Sequence, residues 1–284
     1  MNKKVVVMTG ATSGFGASWF HSLTKEIDAE FFILARNKDK FQSLLTGVPT
    51  NVKKDVHFVE CELSSFVSVF NAIGSIKAQV TSVDILINNA GIFPSDLPCY
   101  NSDALEMAFV VNHLAPLLIT LLLEEKLRNA NLSKIVNTSS FQHFNAKLNL
   151  EDVNFKGSEY SAMLAYQNSK LCTVLSTRYL STFLGKNISI NCFDPGIVDT
   201  SMTQKAFPKV LRWTHPLLRT FFRNGAKGAE TGIYLSTERN VEQNTGGYYK
   251  DKRLKQPSLT AQSKIIASQL HQMSTELIRP YLSR

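Results

Sequence analysis

The sequence predicts an α/β fold, a doubly wound parallel sheet with helices on both faces. Three observations carry this. Short apolar runs alternate with longer helical patterns along the chain, the arrangement of successive β-α units. The runs are apolar throughout rather than alternating, as strands buried on both faces are. No Pro/Gly-rich linker divides the series and no internal repeat is present, so residues 1–284 read as a single domain.

The elements follow in order. Val5-Val6-Val7-Met8 is β-branched and reads as a buried first strand. A helical stretch runs from about Gly14 to Ile27. Phe31-Phe32-Ile33-Leu34 is the second strand, followed by a helix near Lys38–Leu45. Val56-His57-Phe58-Val59 is the third, with a helix near Ser65–Ala78 behind it. Asp84-Ile85-Leu86-Ile87 is the fourth, and one long helix covers about Leu105–Arg128. Lys134-Ile135-Val136-Asn137 is the fifth strand, Ser161–Leu184 another long helix, and Ile188-Ser189-Ile190-Asn191 the sixth strand. From about Thr200 to Arg223 the alternation breaks: Phe207, Leu211, Trp213, Leu217, Leu218, Phe221 and Phe222 interleave with Lys205, Lys209, Arg212, Arg219 and Arg223.

Composition narrows the function classes. The chain is 44% hydrophobic and 19% charged, which excludes collagen, low-complexity disorder and a disulfide-rich miniprotein. Its net charge of +8 admits an acidic partner. The cations are spread out, however. The densest run, Lys250-Asp251-Lys252-Arg253, is interrupted by an acid, and no nucleic-acid recognition motif is present. Cys61, Cys99, Cys172 and Cys192 form no CxxC and have no histidine at metal-ligand spacing. We expect buried thiols and no metal. The apolar run after Met1 is too short for a signal peptide. The apolar stretch Leu114–Leu123 is too short to span a bilayer. The expected location is the cytoplasm, with peripheral membrane contact left open.

Chemistry concentrates in a few motifs. Thr9-Gly10-Ala11-Thr12-Ser13-Gly14-Phe15-Gly16 joins the first strand to the first helix. Glycines there let the backbone turn tightly and approach a pyrophosphate, and the helix N-terminus supplies free N–H groups. The spacing is GxxxGxG rather than the commoner GxGxxG. At the end of the second strand stands Arg36, where a site for NAD usually places an acid. A guanidinium there suits a 2′-phosphate, so the expected cofactor is NADP(H). Tyr166 and Lys170 are four residues apart on a predicted helix and share one face. A cation beside the phenol is expected to lower its pKa and fit it for acid–base work.

Together with Asn88-Asn89-Ala90-Gly91 after the fourth strand and Ser139-Ser140 after the fifth, these motifs resemble the short-chain dehydrogenase/reductase family over nearly the whole chain. The local features Val111-Asn112-His113-Leu114, Tyr166-Gln167-Asn168-Ser169-Lys170-Leu171 and Gly246-Gly247-Tyr248-Tyr249-Lys250-Asp251 are most similar to its retinol dehydrogenase-like branch, related to protochlorophyllide reductase. The long Ser140-to-Tyr166 separation fits that branch too. The resemblance implies a Rossmann-type fold and an NADP-dependent oxidoreductase acting on a lipophilic ketone, aldehyde or enone. It makes Tyr166 the general acid/base, Lys170 its partner and a ribose contact, Ser140 the donor to the substrate oxygen with Ser139 as backup, and Asn112 the residue ordering a proton-relay water.

The resemblance also assigns cofactor contacts. Gly10, Thr12, Ser13, Gly14, Phe15 and Gly16 would meet the phosphates. Asn89, Ala90 and Gly91 would line the adenosine side. Glu62 and Leu63 would meet the adenine, with Glu62 standing where an Asp is usual. Pro195, Gly196, Val198 and Thr200 of the family's PG motif would meet the nicotinamide amide. Residues 200–223 fall where the family has a mobile substrate lid, and about 250–284 form a C-terminal extension ending in a helix. The lid's aromatic and cationic mixture also admits a membrane surface. A homo-oligomer is open. His113, His143 and His215 are read as structural. The alternative function is a catalytically silent dinucleotide-sensing protein; such proteins usually lose the tyrosine or lysine, and both are present here.

Overall fold

The computed structural model describes residues 3–206, 222–238 and 244–282. Its centre is an eight-stranded sheet: β1 (Lys4–Thr9), β2 (Ala29–Ala35), β3 (Val56–Glu60), β4 (Ile85–Asn88), β5 (Ser133–Thr138), β6 (Ile188–Asp194), β7 (Tyr248–Lys250) and β8 (Arg253–Lys255). The order is β3-β2-β1-β4-β5-β6-β7-β8, parallel throughout except that β8 runs against β7. The order reverses beside β1, and the crevice past the carboxyl ends of β1 and β4 is where such sheets bind ligands.

All six expected strands form; five are buried along most of their length, while β3, at the sheet edge, is only partly covered. Two cores result, one per face. On one face Trp19, Phe20, Phe31 and Phe193 pack beneath the helices Gly14–Glu26 and Gly225–Thr237. On the other, Phe66, Ile73, Leu118, Val174 and Leu270 pack beneath Phe66–Lys77, Ala115–Leu122, Ala162–Leu180 and Lys264–Ile278. Fully burying aromatic and aliphatic side chains of this size stabilises by roughly 1.5–3 kcal/mol each. Cys61, Cys172 and Cys192 are buried thiols as expected, whereas Cys99 is exposed.

One expected helix is not continuous. The stretch expected over Leu105–Arg128 begins at Met107 and passes through a π-helical turn, Val110–Leu114. It resumes as Ala115–Leu122 and restarts as Glu124–Asn129. Pro116 explains the irregularity. It has no N–H to give the carbonyl four residues back, that of Asn112. Thr173 Oγ1 donates to that carbonyl instead, at 3.2 Å. The π turn thus lies at Asn112, a common place for such bulges being a functional site. Of the lid expected over 200–223, residues 207–221 lie outside the described residues, and with them Trp213 and Phe221. Among the described residues no helix is long and apolar enough to cross a membrane.

Candidate active site

The loop after β1 is built for close approach. Gly10 and Gly14 take positive φ values of 71° and 58°, which other residues adopt only with strain. A Cβ on Gly16 would run into the Gly10 carbonyl oxygen. The helix Gly14–Glu26 begins at Ser13, whose side chain makes no capping bond, and its first turn carries no acid. Its N-terminal N–H groups and positive dipole end are therefore free of a local anion, as a pyrophosphate site requires. These residues fit a dinucleotide.

The turn after β4 is held against this loop. Asn89 N and Ala90 N both donate to Thr9 Oγ1 at 3.1 Å, and Asn89 Nδ2 donates to the Gly10 carbonyl at 3.0 Å. Thr138 Oγ1 donates to Asn89 Oδ1 at 3.0 Å. A Cβ placed on Gly91 would lie 3.1 Å from Asn112 Oδ1 and 3.4 Å from Lys170 Nζ. Asn112 and Lys170 thus converge over that glycine.

Four of the expected residues meet at the carboxyl end of β5. The helix Ala162–Leu180, capped by Ser161 Oγ on Leu164 N, presents Tyr166 and Lys170 on one face. Lys170 Nζ donates to the Thr138 carbonyl at 2.9 Å and lies 5.8 Å from the Tyr166 ring centroid. Ser140 stands beside the Tyr166 phenol, close enough to pull its pKa down by hydrogen bonding to the phenolate. Ser139 is not available for that role, since its Oγ donates to the Lys170 carbonyl at 3.1 Å. Asn112 accepts from Ile92 N at 2.8 Å, and its Nδ2 donates to the Ile92 carbonyl and to Ser169 Oγ at 3.0 and 2.9 Å. Its side chain therefore fixes the segment after Gly91.

Electrostatics at the site correct one expectation. Lys170 does not bring the phenol down. Burial pushes Tyr166 up to about 12, against the pull of the Ser140 hydrogen bond, and the buried Asp194 pushes the same way. Burial also lowers Lys170 to about 8. Loss of water is the largest influence on both groups. At neutral pH Tyr166 therefore holds its proton.

Around this cluster lie the other expected contacts, together with Asp194, Arg223 and Phe93, to which the sequence gave no role at the site. Asp194 is completely buried before Pro195; its Oδ1 accepts from Gly196 N at 2.9 Å and its Oδ2 faces Lys250 Nζ at 3.1 Å. Arg223 covers the PG turn, donating to the Pro195 carbonyl at 3.4 Å and to Asp251 Oδ1 at 2.6 Å. Arg223 N donates to the Ile197 carbonyl at 2.8 Å and Asp199 N to the Arg223 carbonyl at 3.0 Å, so Ile197–Asp199 and Arg223 are laced together. Thr200 reaches the phosphate loop, its Cγ2 3.2 Å from where a Gly14 Cβ would stand. Val198 is buried against Gly228. Phe93 leans on Tyr166 with centroids 5.3 Å apart. At the far end of the crevice Arg36 Nη1 pairs with Glu62 Oε2 at 3.2 Å, and Leu63 packs against the core.

His113 and His143 are both tied into the fold, His113 Nε2 lying 2.8 Å from Ser274 Oγ. Ser258 N donates to His143 Nε2 at 3.1 Å, so Nδ1 carries the hydrogen and donates to the Ser140 carbonyl, 2.7 Å away. His215 lies outside the described residues. Among the described residues there is no group of side chains that could hold a metal ion.

A Gly-rich loop before the first helix, a Ser–Tyr–Lys cluster past β5 and this strand order define a nicotinamide-dependent oxidoreductase. The chain belongs to the short-chain dehydrogenase family, whose model matches residues 4–211. It is 30% identical to mouse (Mus musculus) retinol dehydrogenase 12 over 277 residues, covering 97% of this chain and 86% of that protein. A crystal structure of an uncharacterised protein from Mycobacterium paratuberculosis superposes with a TM-score of 0.77 at 24% identity, covering 97% of this chain and 93% of that one. A short-chain dehydrogenase from Escherichia coli CFT073, complexed with NADPH, superposes with a TM-score of 0.69 at 19% identity, covering 88% and 96%.

Proposed function

We propose that the protein is an NADP(H)-dependent reductase of lipophilic ketones, aldehydes or enones, with Tyr166 as the general acid. The carrying observation is the convergence of Ser140, Tyr166 and Lys170 past β5, with Lys170 Nζ beside the Tyr166 ring and the phenol, next to Ser140, protonated at neutral pH. NADPH is favoured by Arg36 at the end of β2, and an NADPH complex exists for a protein of the same fold. A lipophilic substrate is favoured by Phe93 against the phenol and by the retinol dehydrogenases among the relatives.

When bound, the nicotinamide dinucleotide supplies the hydride. Gly10, Thr12, Ser13, Gly14, Phe15 and Gly16 would hold its phosphates. Asn89, Ala90 and Gly91 would line the adenosine side, Glu62 and Leu63 the adenine, and Pro195, Gly196, Val198 and Thr200 the nicotinamide side. Ser140 and Tyr166 donate hydrogen bonds to the substrate oxygen as negative charge develops on it. Tyr166 then releases its proton to that oxygen. The resulting phenolate is stabilised by the Lys170 ammonium. Lys170 is held in place by the Thr138 carbonyl, and Asn112 fixes the chain segment that faces both. Replacing Tyr166 by Phe tests the assignment: turnover should vanish with NADPH binding retained, and undiminished turnover would refute it.

A further inference from the structure

The ion pair between Arg36 and Glu62 bears on the NADP(H) reading, on which this inference rests. β2 and β3 end side by side, Ala35 opposite Glu60, so the residues just beyond them meet at the carboxyl edge of the sheet. Arg36 Nη1 lies 3.2 Å from Glu62 Oε2 there. Glu62 is not a loose partner. Its other oxygen accepts from Ser64 N at 3.0 Å, and its own N–H donates to Ser68 Oγ at 2.9 Å. Burial acts against its charge, but the Ser64 bonds and Arg36 prevail and hold the carboxyl below its ordinary range. A fixed anion therefore sits on one edge of the guanidinium. Both side chains stay open to solvent, 70% exposed for Arg36 and 40% for Glu62, and so open to a ligand.

We propose that Glu62 is a specificity-determining residue that limits the preference for NADPH over NADH by engaging the Arg36 guanidinium. A 2′-phosphate is best held by two parallel N–H bonds from a free guanidinium. Here one donor of that fork is already committed to a carboxylate. Binding the phosphate means sharing or breaking that bond. The 2′-hydroxyl of NADH makes no such demand, and the two cofactors share every other group. NADH is thus an internal control for any effect of Glu62 on the adenine.

The test is the dissociation constants of NADPH and NADH, read by cofactor fluorescence, for the wild type, E62Q, R36Q and the double variant. The amide introduced by E62Q keeps an oxygen for Ser64 N and puts an uncharged NH2, which cannot accept, opposite the guanidinium. E62Q should bind NADPH roughly fivefold more tightly relative to NADH, the scale of one exposed charge pair, whatever change at the adenine the two cofactors share. The gain should shrink in the R36Q background. An unchanged or lowered preference for NADPH over NADH in E62Q, equal tightening of both cofactors included, or a gain of full size without Arg36 would each overturn the proposal. Loss of the NADP(H) reading itself would show elsewhere, as R36Q binding NADPH as well as wild type.

Discussion

Lys170 Nζ stands 5.8 Å from the Tyr166 ring centroid and spends a hydrogen bond on the Thr138 carbonyl. The buried cation stands beside the ring, yet burial keeps the phenol above its ordinary range and protonated. Its position has a cost. A lysine titrating near 8 rather than 10.5 destabilises the fold by about 3 kcal/mol at neutral pH.

Lys170→Met should therefore abolish turnover and raise stability. The orphaned Thr138 carbonyl takes back part of the gain, leaving roughly 1 kcal/mol at pH 7. Between 8 and 10.5 the unfolded lysine holds a proton that the native one has released. Wild-type stability thus rises with pH across that window, and the advantage of the variant shrinks. Urea midpoints at pH 7 and about 10 check this; a variant less stable than wild type at pH 7 would contradict it.

Buried histidines set the acid limit. His113, bonded to Ser274 at 2.8 Å, is lowered by burial to about 3 from 6.5. Burial lowers His143 and His271 as well. Groups with depressed native pKa values bind more protons unfolded, so stability is present above about 6.5 and is lost as pH falls. His113 alone should remove about 2 kcal/mol by pH 5. Equal urea midpoints at pH 7 and pH 5 would be inconsistent with this.

Two glycines make opposite predictions. Gly16→Ala places a methyl on the Gly10 carbonyl and should abolish cofactor binding. Gly74→Ala lies in the helix Phe66–Lys77 with nothing within 4 Å of the new Cβ. It should stabilise by about 0.5–1 kcal/mol. Thermal melts with and without NADPH separate the two effects.

Strands buried on both faces announce themselves through unbroken apolar runs, and so β1 to β6 were legible. β7 and β8 were not, because three residues each carry too little pattern. The π turn was hidden in an apolar stretch whose only signal was Pro116. At the site, the spacing put Tyr166 and Lys170 on one helix face, and only the family resemblance singled out Ser140 and gave the three their roles. The direction of the Tyr166 pKa did not follow, because it depends on burial and on Asp194, which comes from a different strand. Arg36 was visible and its partner Glu62 was not seen as such, since a pairing across β2 and β3 requires their register.

Arg36→Asp should reverse cofactor choice. It removes the donor for a 2′-phosphate and adds an acceptor for the ribose hydroxyl. Binding of NADPH should weaken at least tenfold relative to NADH, by about 1.4 kcal/mol or more. Unchanged NADPH affinity would remove Arg36 from the cofactor site.

The role of Tyr166 in carbonyl reduction is tested most directly by following NADPH absorbance, near 340 nm, while wild type and Tyr166→Phe meet a panel of lipophilic aldehydes, ketones and enones. Substrate-dependent loss of signal in the wild type, absent from a Tyr166→Phe variant that still binds NADPH, is the predicted result. Equal rates in the two proteins, or no consumption by the wild type with any carbonyl, would contradict it.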